Sequence, residues 1–203
     1  MFRVRALFRR IFHVLLNQLG IRRLREHSFF GALLPKQAVI ADFGAHRGEF
    51  LSALKSEFSI SRALLIEANP ELAAYLKETF GNETDVLHAA LIGRNNKEPV
   101  VFTLSTNPES SSIFRESAAA CGIADQVDVP AIDLSHVIAE LDGRVDLVKV
   151  DIEGAEVGIL QTASASDLAS CSQLTVEFHT KCPPITRRDV DRVCQRMRCT
   201  WGG

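Results

Sequence analysis

The sequence lacks the cysteine pattern of a disulfide-rich or zinc-binding protein. Its five cysteines are odd in number, are widely spaced and form no pair of C-x-x-C motifs: Cys121, Cys171, Cys182, Cys194 and Cys199. This usage argues against a disulfide framework or a structural zinc site. It favours a reducing compartment, and we therefore expect a cytoplasmic protein.

The chain also lacks a long apolar run and a basic surface with interleaved aromatic residues. The apolar residues near the N-terminus are interrupted by His13, Asn17 and Gln18, so the run is too short to span a bilayer. It is not followed by a clear cleavage site for a secretory signal. The absence of a basic aromatic patch in the remainder of the chain argues against nucleic acid as a partner.

Charge is distributed unevenly along the chain. The formal net charge is -2, but residues 1–30 hold seven arginines and a single acid, Glu26, which places about +6 there and about -8 elsewhere. Residues 1–30 are predicted to form a basic amphipathic helical segment before one globular domain over 31–203. The helix could pack against the domain, contact an anionic membrane peripherally through residues 1–25, or serve as a transit peptide.

Short apolar runs alternate with amphipathic stretches from residue 37 onward. Strands are predicted at 38–43, 62–68, 85–92, 100–104, 126–132, 145–152 and 172–179, and helices at 49–58, 69–80, 134–141 and about 155–168. The serine-rich stretch 105–122 is predicted to be a mobile surface loop. This order predicts an α/β fold, a doubly wound and mostly parallel sheet with helices on both faces. Ligands of such sheets bind at the carboxyl ends of the strands.

The first strand ends in a glycine-bearing turn, "DFGAHRG". Gly44 allows a close backbone approach, and Gly48 precedes a helix whose N-terminus presents free N–H groups. The spacing D-x-G-x-x-x-G differs from the G-x-G-x-x-G of dinucleotide binders, which argues against a dehydrogenase. His46 and Arg47 could bind a phosphate, but Asp42 would repel it. A positively charged sulfonium suits an aspartate-lined turn better.

Acidic residues follow two further strands. Glu67 ends the second strand, where a carboxylate can accept hydrogen bonds from both hydroxyls of a ribose. Asp151 follows the strand "LVKV" and is expected closest to a ligand. Glu153 and Glu156 could instead belong to a solvated acidic turn that caps the next helix.

Histidine and serine residues offer further candidates. Asp151 is the first candidate for a general base and His179, in "TVEFH", is the second, because histidine titrates near neutral pH. His179 could equally be a hydrogen-bonded residue at a strand end. A metal site is not expected, although Asp151, Glu177 and His179 could form one if they converge. The serines 110–112 could contact an acceptor or act as a flexible linker.

Five segments together resemble the FkbM family of S-adenosylmethionine-dependent methyltransferases: "VIADFGAHRGEF", "LLIEANPEL", "HAALIG", "SSSIF" and "VDLVKVDIEGAEVGILQTA". The resemblance runs from about Val39 to His179, and "KVDIEGAE" is its most specific part. It implies a class I, Rossmann-like methyltransferase fold with S-adenosyl-L-methionine as methyl donor. It also implies methylation of a hydroxyl on a sugar or secondary metabolite, so the expected partner is a small-molecule or glycan acceptor.

The resemblance assigns roles to individual residues. Seven positions are implied to bind the cofactor: Asp42, Gly44, Ala45, Gly48, Glu67, Ala68 and His88. Asp151 matches the acidic position that faces the transferred methyl. His88 departs from the family pattern, because many class I methyltransferases place a carboxylate there to bind adenine.

The C-terminal segment is a second departure. The sequence ends in "RCTWGG", where this fold normally adds an antiparallel strand pair, so that pair is expected to be missing or shortened. The alternative to an enzyme is a cofactor-binding or inactive scaffold protein with a truncated methyltransferase fold.

Overall fold

The computed structural model describes residues 19–93, 98–180 and 185–201. Its strands are β1 (Ile21–Leu24), β2 (His27–Phe30), β3 (Ala38–Phe43), β4 (Ile60–Glu67), β5 (Asp85–His88), β6 (Ala90–Leu91), β7 (Val100–Ser105), β8 (Ile123–Val129), β9 (Ala131–Ile132), β10 (Leu147–Val150) and β11 (Leu174–Val176). Its helices are α1 (Glu49–Glu57), α2 (Pro70–Phe80), α3 (Arg115–Ala119), α4 (Leu134–Glu140), α5 (Glu156–Thr162), α6 (Ala165–Ala169) and α7 (Arg187–Trp201).

Five parallel strands form the central sheet in the order β11-β10-β3-β4-β5. The chain moves outward in one direction from β3 through β4 to β5, and in the other direction from β10 to β11. The strand order therefore reverses between β3 and β10, and a ligand crevice is expected at the carboxyl ends of these two strands. This is the doubly wound α/β fold that the sequence predicts.

Alternate residues of the sheet pack on opposite faces. Ala41 and Phe43 belong to the apolar cluster that includes residues of α4 to α7, whereas Ile40 belongs to the cluster that includes residues of α1 and α2. The helices thus cover both faces of the sheet, because side chains of a strand point alternately to its two sides.

Residues 21–30 form an antiparallel hairpin of β1 and β2. The helical prediction for residues 1–30 is therefore wrong in this part, and residues 1–18 lie outside the described residues. The alternation of buried and exposed residues in "HSFF" is typical of a half-buried strand. A search of the described residues finds no candidate for a membrane-spanning helix.

Residues 105–122 are a structured part of the domain, which corrects the prediction of a mobile surface loop. The segment contains α3 and connects the antiparallel strands β7 and β8. Ser111 and Ser112 are buried. The Ser111 Oγ accepts a hydrogen bond from the Ser105 N–H at 3.0 Å. Side-chain hydrogen bonds thus compensate for the small number of apolar residues.

Several predicted elements are shorter or divided: the strand predicted at 126–132 is split into β8 and β9, and the strand predicted at 145–152 is shortened to β10. The strand predicted at 85–92 is split into β5 and β6, and β6 pairs with β9 outside the central sheet. The helix predicted at 155–168 is split into α5 and α6. Strand β11 ends at Val176, so Glu177 and His179 follow the strand instead of lying in it. In the described residues 185–201, the helix α7 follows and no strand is present.

Candidate functional site

The turn after β3 brings the first glycine of "DFGAHRG" against the chain that leaves β10. Gly44 has φ +71°, and a Cβ atom there would lie 1.9 Å from the carbonyl oxygen of Asp151. A side chain at this position is therefore excluded both by the conformation and by the contact. Gly48, with φ +72°, lies directly before α1, and its Cβ would lie 2.4 Å from the ring of Phe80.

Glu67 lies beside this turn at the end of β4. Its Oε2 accepts a hydrogen bond from the His46 N–H at 2.8 Å, and its Oε1 accepts one from the Asn69 N–H at 2.8 Å. Burial raises the pKa of Glu67, although these two hydrogen bonds oppose the rise. Each carboxylate oxygen has a second lone pair, so Glu67 could still accept hydrogen bonds from two hydroxyls.

Asp42, at the end of β3, forms an ion pair with Lys149 of β10. Asp42 is fully buried, and its Oδ1 lies 3.1 Å from the Lys149 Nζ. Among the described residues, neither Asp42 oxygen has a hydrogen-bond partner, so the contact with Lys149 is described as an ion pair. Asp42 and Lys149 are register partners on β3 and β10, which explains why they meet.

Lys149 is a residue of the site that the sequence reasoning missed. Its Nζ donates a hydrogen bond to the Gly44 carbonyl oxygen at 2.7 Å and lies 3.6 Å from the Asp151 Oδ2. Burial lowers the pKa of Lys149, but attraction to Asp42 and Asp151 outweighs that effect and leaves the pKa raised. The sequence did hold a signal for this residue, because a lysine within the apolar strand "LVKV" is expected to be buried. A buried lysine needs an acidic or hydrogen-bonding partner.

The chain after β10 forms an acidic turn around His179. The buried Glu156 accepts hydrogen bonds through its Oε1 from the His179 Nδ1 at 2.8 Å and from the Gly154 N–H at 3.0 Å. This contact directs the other ring nitrogen toward two further carboxylates. The His179 Nε2 lies 3.3 Å from the Glu153 Oε1 and 3.7 Å from the Asp151 Oδ1. The ring is therefore held among three carboxylates.

Glu153 adopts a left-handed backbone conformation, with φ +52°, which is uncommon for a residue with a side chain. Its carbonyl oxygen accepts a hydrogen bond from the buried Ser112 hydroxyl at 2.6 Å. Ser112 therefore fixes the acidic turn from the β7–β8 segment. Such strain is commonly found at functional sites.

Burial and neighbouring charges shift the pKa values of Asp151, Glu153 and His179. Burial raises the pKa of Asp151, but His27 and Lys149 outweigh it, so the pKa is lowered. Burial is also the main cause that raises the pKa of Glu153 to about 7, against the opposing charge of His179. Burial lowers the pKa of His179, yet Glu156 and Glu153 raise it to about 9. His179 is therefore protonated at neutral pH, in contrast to the expected titration near neutrality.

A cavity of about 360 Å³ opens at the carboxyl ends of β3, β4 and β10. Six predicted site residues line it: Gly44, Ala45, Glu67, Ala68, Asp151 and His179. Asp42, Gly48 and His88 are not among the described lining residues. The His88 Nε2 lies 3.1 Å from the Ala68 carbonyl oxygen, at hydrogen-bonding distance, so His88 contacts the backbone of a residue that lines the cavity.

Two groups of side chains in this cavity could hold a metal ion. One consists of His27, Asp151 and Glu177, and the other of Asp151, Glu153 and His179, with ligand atoms within 4.8 Å of one another in each. The sequence suggested a group of Asp151, Glu177 and His179. In the structure Glu153, and not Glu177, groups with Asp151 and His179, whereas Glu177 groups with Asp151 and His27. His27 is a second residue that the sequence reasoning missed, because its position depends on the hairpin that was predicted as helix.

Comparison with known proteins gives a family match over most of the chain. Residues 42–198 match the family model of the methyltransferase FkbM domain. The chain is 25% identical over 203 aligned residues to the AMB antimetabolite synthetase AmbE of Pseudomonas aeruginosa, covering 83% of this chain but only 10% of that protein.

The fold also resembles a solved structure. The crystal structure of methyltransferase FkbM from Methylobacillus flagellatus KT superimposes with a TM-score of 0.53 at 17% identity, covering 85% of this chain and 40% of the other. Because the identity is low, this likeness supports the fold alone. The family match, which covers most of the chain, shows that this protein belongs to the FkbM family of methyltransferases.

Proposed function

We propose that this protein binds S-adenosyl-L-methionine and methylates a hydroxyl group of a sugar or secondary-metabolite acceptor. The observation that carries the proposal is the position of Asp151. This carboxylate lines the cavity at the end of β10, its backbone contacts Gly44 of the turn after β3, and its Oδ1 faces His179. A proton acceptor thus lies directly beside the turn that would hold the methyl donor.

The residues present fit this cofactor. The backbone of Gly44 and Ala45 offers a turn without obstructing side chains, and Glu67 offers carboxylate oxygens for ribose hydroxyls. The cavity volume of about 360 Å³ falls within the range of small-molecule sites, about 300–1,000 Å³. Held by Gly44, Ala45 and Glu67, S-adenosylmethionine would supply an electrophilic methyl carbon for a new C–O bond to the acceptor, and the electron pair of the broken C–S bond would stay on the neutral thioether that leaves.

The chain's own residues then handle the acceptor proton. Asp151 has a lowered pKa and is ionised at neutral pH, so it can orient the hydroxyl and accept its proton. His179 is protonated and serves as a cation that balances Asp151 and Glu153, instead of being a free base. Orientation in such a site contributes roughly 7–11 kcal/mol, and a positioned base accelerates the reaction by about 10²- to 10⁴-fold.

The proposed acceptor class follows from the family and from one relative. The relative AmbE is named a synthetase of an antimetabolite, which agrees with a secondary-metabolite acceptor. This chain spans only about a tenth of that protein, so the acceptor itself stays a proposal. The cytoplasmic location and a peripheral membrane contact through residues 1–25 likewise stay predictions.

A transfer assay tests the proposal. The 203-residue chain is incubated with S-adenosylmethionine labelled on its methyl group and a panel of hydroxylated sugars and small metabolites. Asp151→Asn should bind the donor but transfer methyl about 100-fold more slowly or worse. The exposed Glu140→Gln serves as control and should transfer at the wild-type rate. Equal transfer by Asp151→Asn and wild type would contradict the assigned role.

A further inference from the structure

The β1–β2 hairpin lies before residues 42–198, which match the family domain, yet it reaches the same cavity. We propose that this hairpin completes the active site and that His27 is a positioning residue for the Asp151 carboxylate. The inference rests on the proposed function only for the role of Asp151 as proton acceptor.

The hairpin is fixed to the sheet by a side chain next to β11. The Phe30 N–H donates a hydrogen bond to the Gln173 Oε1 at 2.8 Å, and the Gln173 Nε2 donates one to the Phe30 carbonyl oxygen at 3.1 Å. The Gln173 amide therefore pairs with Phe30 as a neighbouring strand would. Leu24 and Phe29 are buried in the same apolar cluster as α1. The hairpin thus has a defined position relative to the strand ends.

The His27 ring is held from three directions. It is only 4% exposed, and it packs edge-on against Phe50 with ring centroids 5.4 Å apart. Its Nδ1 lies 3.4 Å from the Thr175 Oγ1, and its Nε2 lies 3.6 Å from the Asp151 Oδ2. Packing and the threonine contact therefore leave one ring nitrogen directed at Asp151.

The two Asp151 oxygens have different surroundings. The Lys149 Nζ also lies 3.6 Å from Oδ2, so His27 and Lys149 attract the same oxygen. Oδ1 faces His179 at 3.7 Å, and the carboxyl group of Glu153 belongs to the same acidic turn. Contact of Oδ2 with two nitrogen atoms restricts rotation of the carboxylate and keeps Oδ1 available to an acceptor. His27 thereby acts on the reaction through Asp151 without contacting the acceptor.

An NMR titration of the Asp151 carboxyl carbon in the full 203-residue chain tests this role. Asp151→Asn identifies the resonance, and no acceptor is needed. In His27→Leu, which keeps the packing but loses the ring nitrogens, the Asp151 pKa should rise by about one unit, the size of effect expected when a close charge or hydrogen bond is lost. His27→Gln, which retains an N–H donor, should recover part of this difference.

The control is Phe29→Leu, a buried substitution in the same strand that removes packing and leaves His27 in place. It should lower the unfolding temperature without moving the Asp151 pKa. An unchanged Asp151 pKa in folded His27→Leu, or an equal rise in Phe29→Leu, would overturn the proposal. Since the titration reports on Asp151 and not on methyl transfer, it is independent of whether the proposed activity is found.

Discussion

The Lys149 Nζ donates a hydrogen bond to the Gly44 carbonyl oxygen at 2.7 Å and so joins β10 to the turn after β3. The same ammonium group is the charge partner of Asp42 at 3.1 Å and lies 3.6 Å from Asp151. One buried cation therefore connects the turn expected to hold the donor with the carboxylate expected to receive the proton. This connection lies at the point where the strand order reverses.

Replacing Lys149 by methionine should destabilise the protein strongly. Lys149→Met leaves Asp42 as a buried charge without its partner, which typically costs about 3–5 kcal/mol in the free energy of unfolding. Urea unfolding of both proteins measures the loss. The double variant Asp42→Asn/Lys149→Met removes both charges and should recover a large part of the stability. If the double variant is no more stable than the single one, the ion pair is not the cause.

A methyl group at Gly44 should disrupt the turn more than one at another glycine with positive φ. Gly44→Ala places a Cβ 1.9 Å from the Asp151 carbonyl oxygen, whereas Gly143, with φ +88°, has no atom within 4 Å of such a Cβ. Gly143→Ala should therefore lower the free energy of unfolding only by the strain of a left-handed alanine, about 1–2 kcal/mol. Thermal unfolding should show a clearly larger loss for Gly44→Ala, and similar losses would contradict the close approach.

His179 should make stability depend on pH in a defined range. Its pKa is raised from 6.5 to about 9, so the folded state binds this proton more tightly than the unfolded chain. The resulting stability is fully present below about pH 6.5 and is lost as the pH rises through about 9. The difference in unfolding free energy between wild type and His179→Gln should therefore shrink from pH 6 to pH 9.5 in urea titrations. A difference that grows with pH would be the opposite of what this charge arrangement predicts.

Donor binding is expected to be independent of a divalent metal. Asp151, Glu153 and His179 could accept an ion, but the protonated His179 already supplies positive charge between the two carboxylates. The affinity for S-adenosylmethionine should be unchanged after dialysis against a chelator, and elemental analysis should find no stoichiometric metal. A bound metal together with a loss of affinity of about 10-fold or more on chelation would show that these residues form a metal site.

The sequence predicts best those elements that local signals determine. The strand at 38–43 and the helix over 69–80 agree with β3 and α2 within one residue. The start of α2 is specified by its cap, since the Asn69 Oδ1 accepts hydrogen bonds from the N–H groups of Glu71 and Leu72, and Pro70 follows Asn69 directly. Glu67 and Asp151 could also be predicted as site residues from the sequence. Each lies at the carboxyl end of a predicted strand, and the carboxyl ends of parallel strands meet at one edge of the sheet.

The remaining features depend on contacts between distant segments. Ser112 is buried because it contacts Glu153, 41 residues away, and no local pattern indicates this. The same holds for His27 and Asp151, which are far apart in the chain but meet through the hairpin. Strand β11 ends early, and the polar residues after Val176 include Glu177 and His179, which line the cavity. Propensity alone therefore predicts a longer strand there than the structure contains.

Calorimetric titration of the 203-residue chain with S-adenosylmethionine tests the central claim most directly. We expect one site of micromolar affinity in the wild type, and loss of binding in Glu67→Ala, because Glu67 lines the cavity and is the carboxylate that we assign to the ribose. The exposed Glu78→Gln in α2 is the matched control and should bind as the wild type does. No binding by a folded wild-type chain, or equal binding by Glu67→Ala, would contradict the assignment of this cavity to the methyl donor.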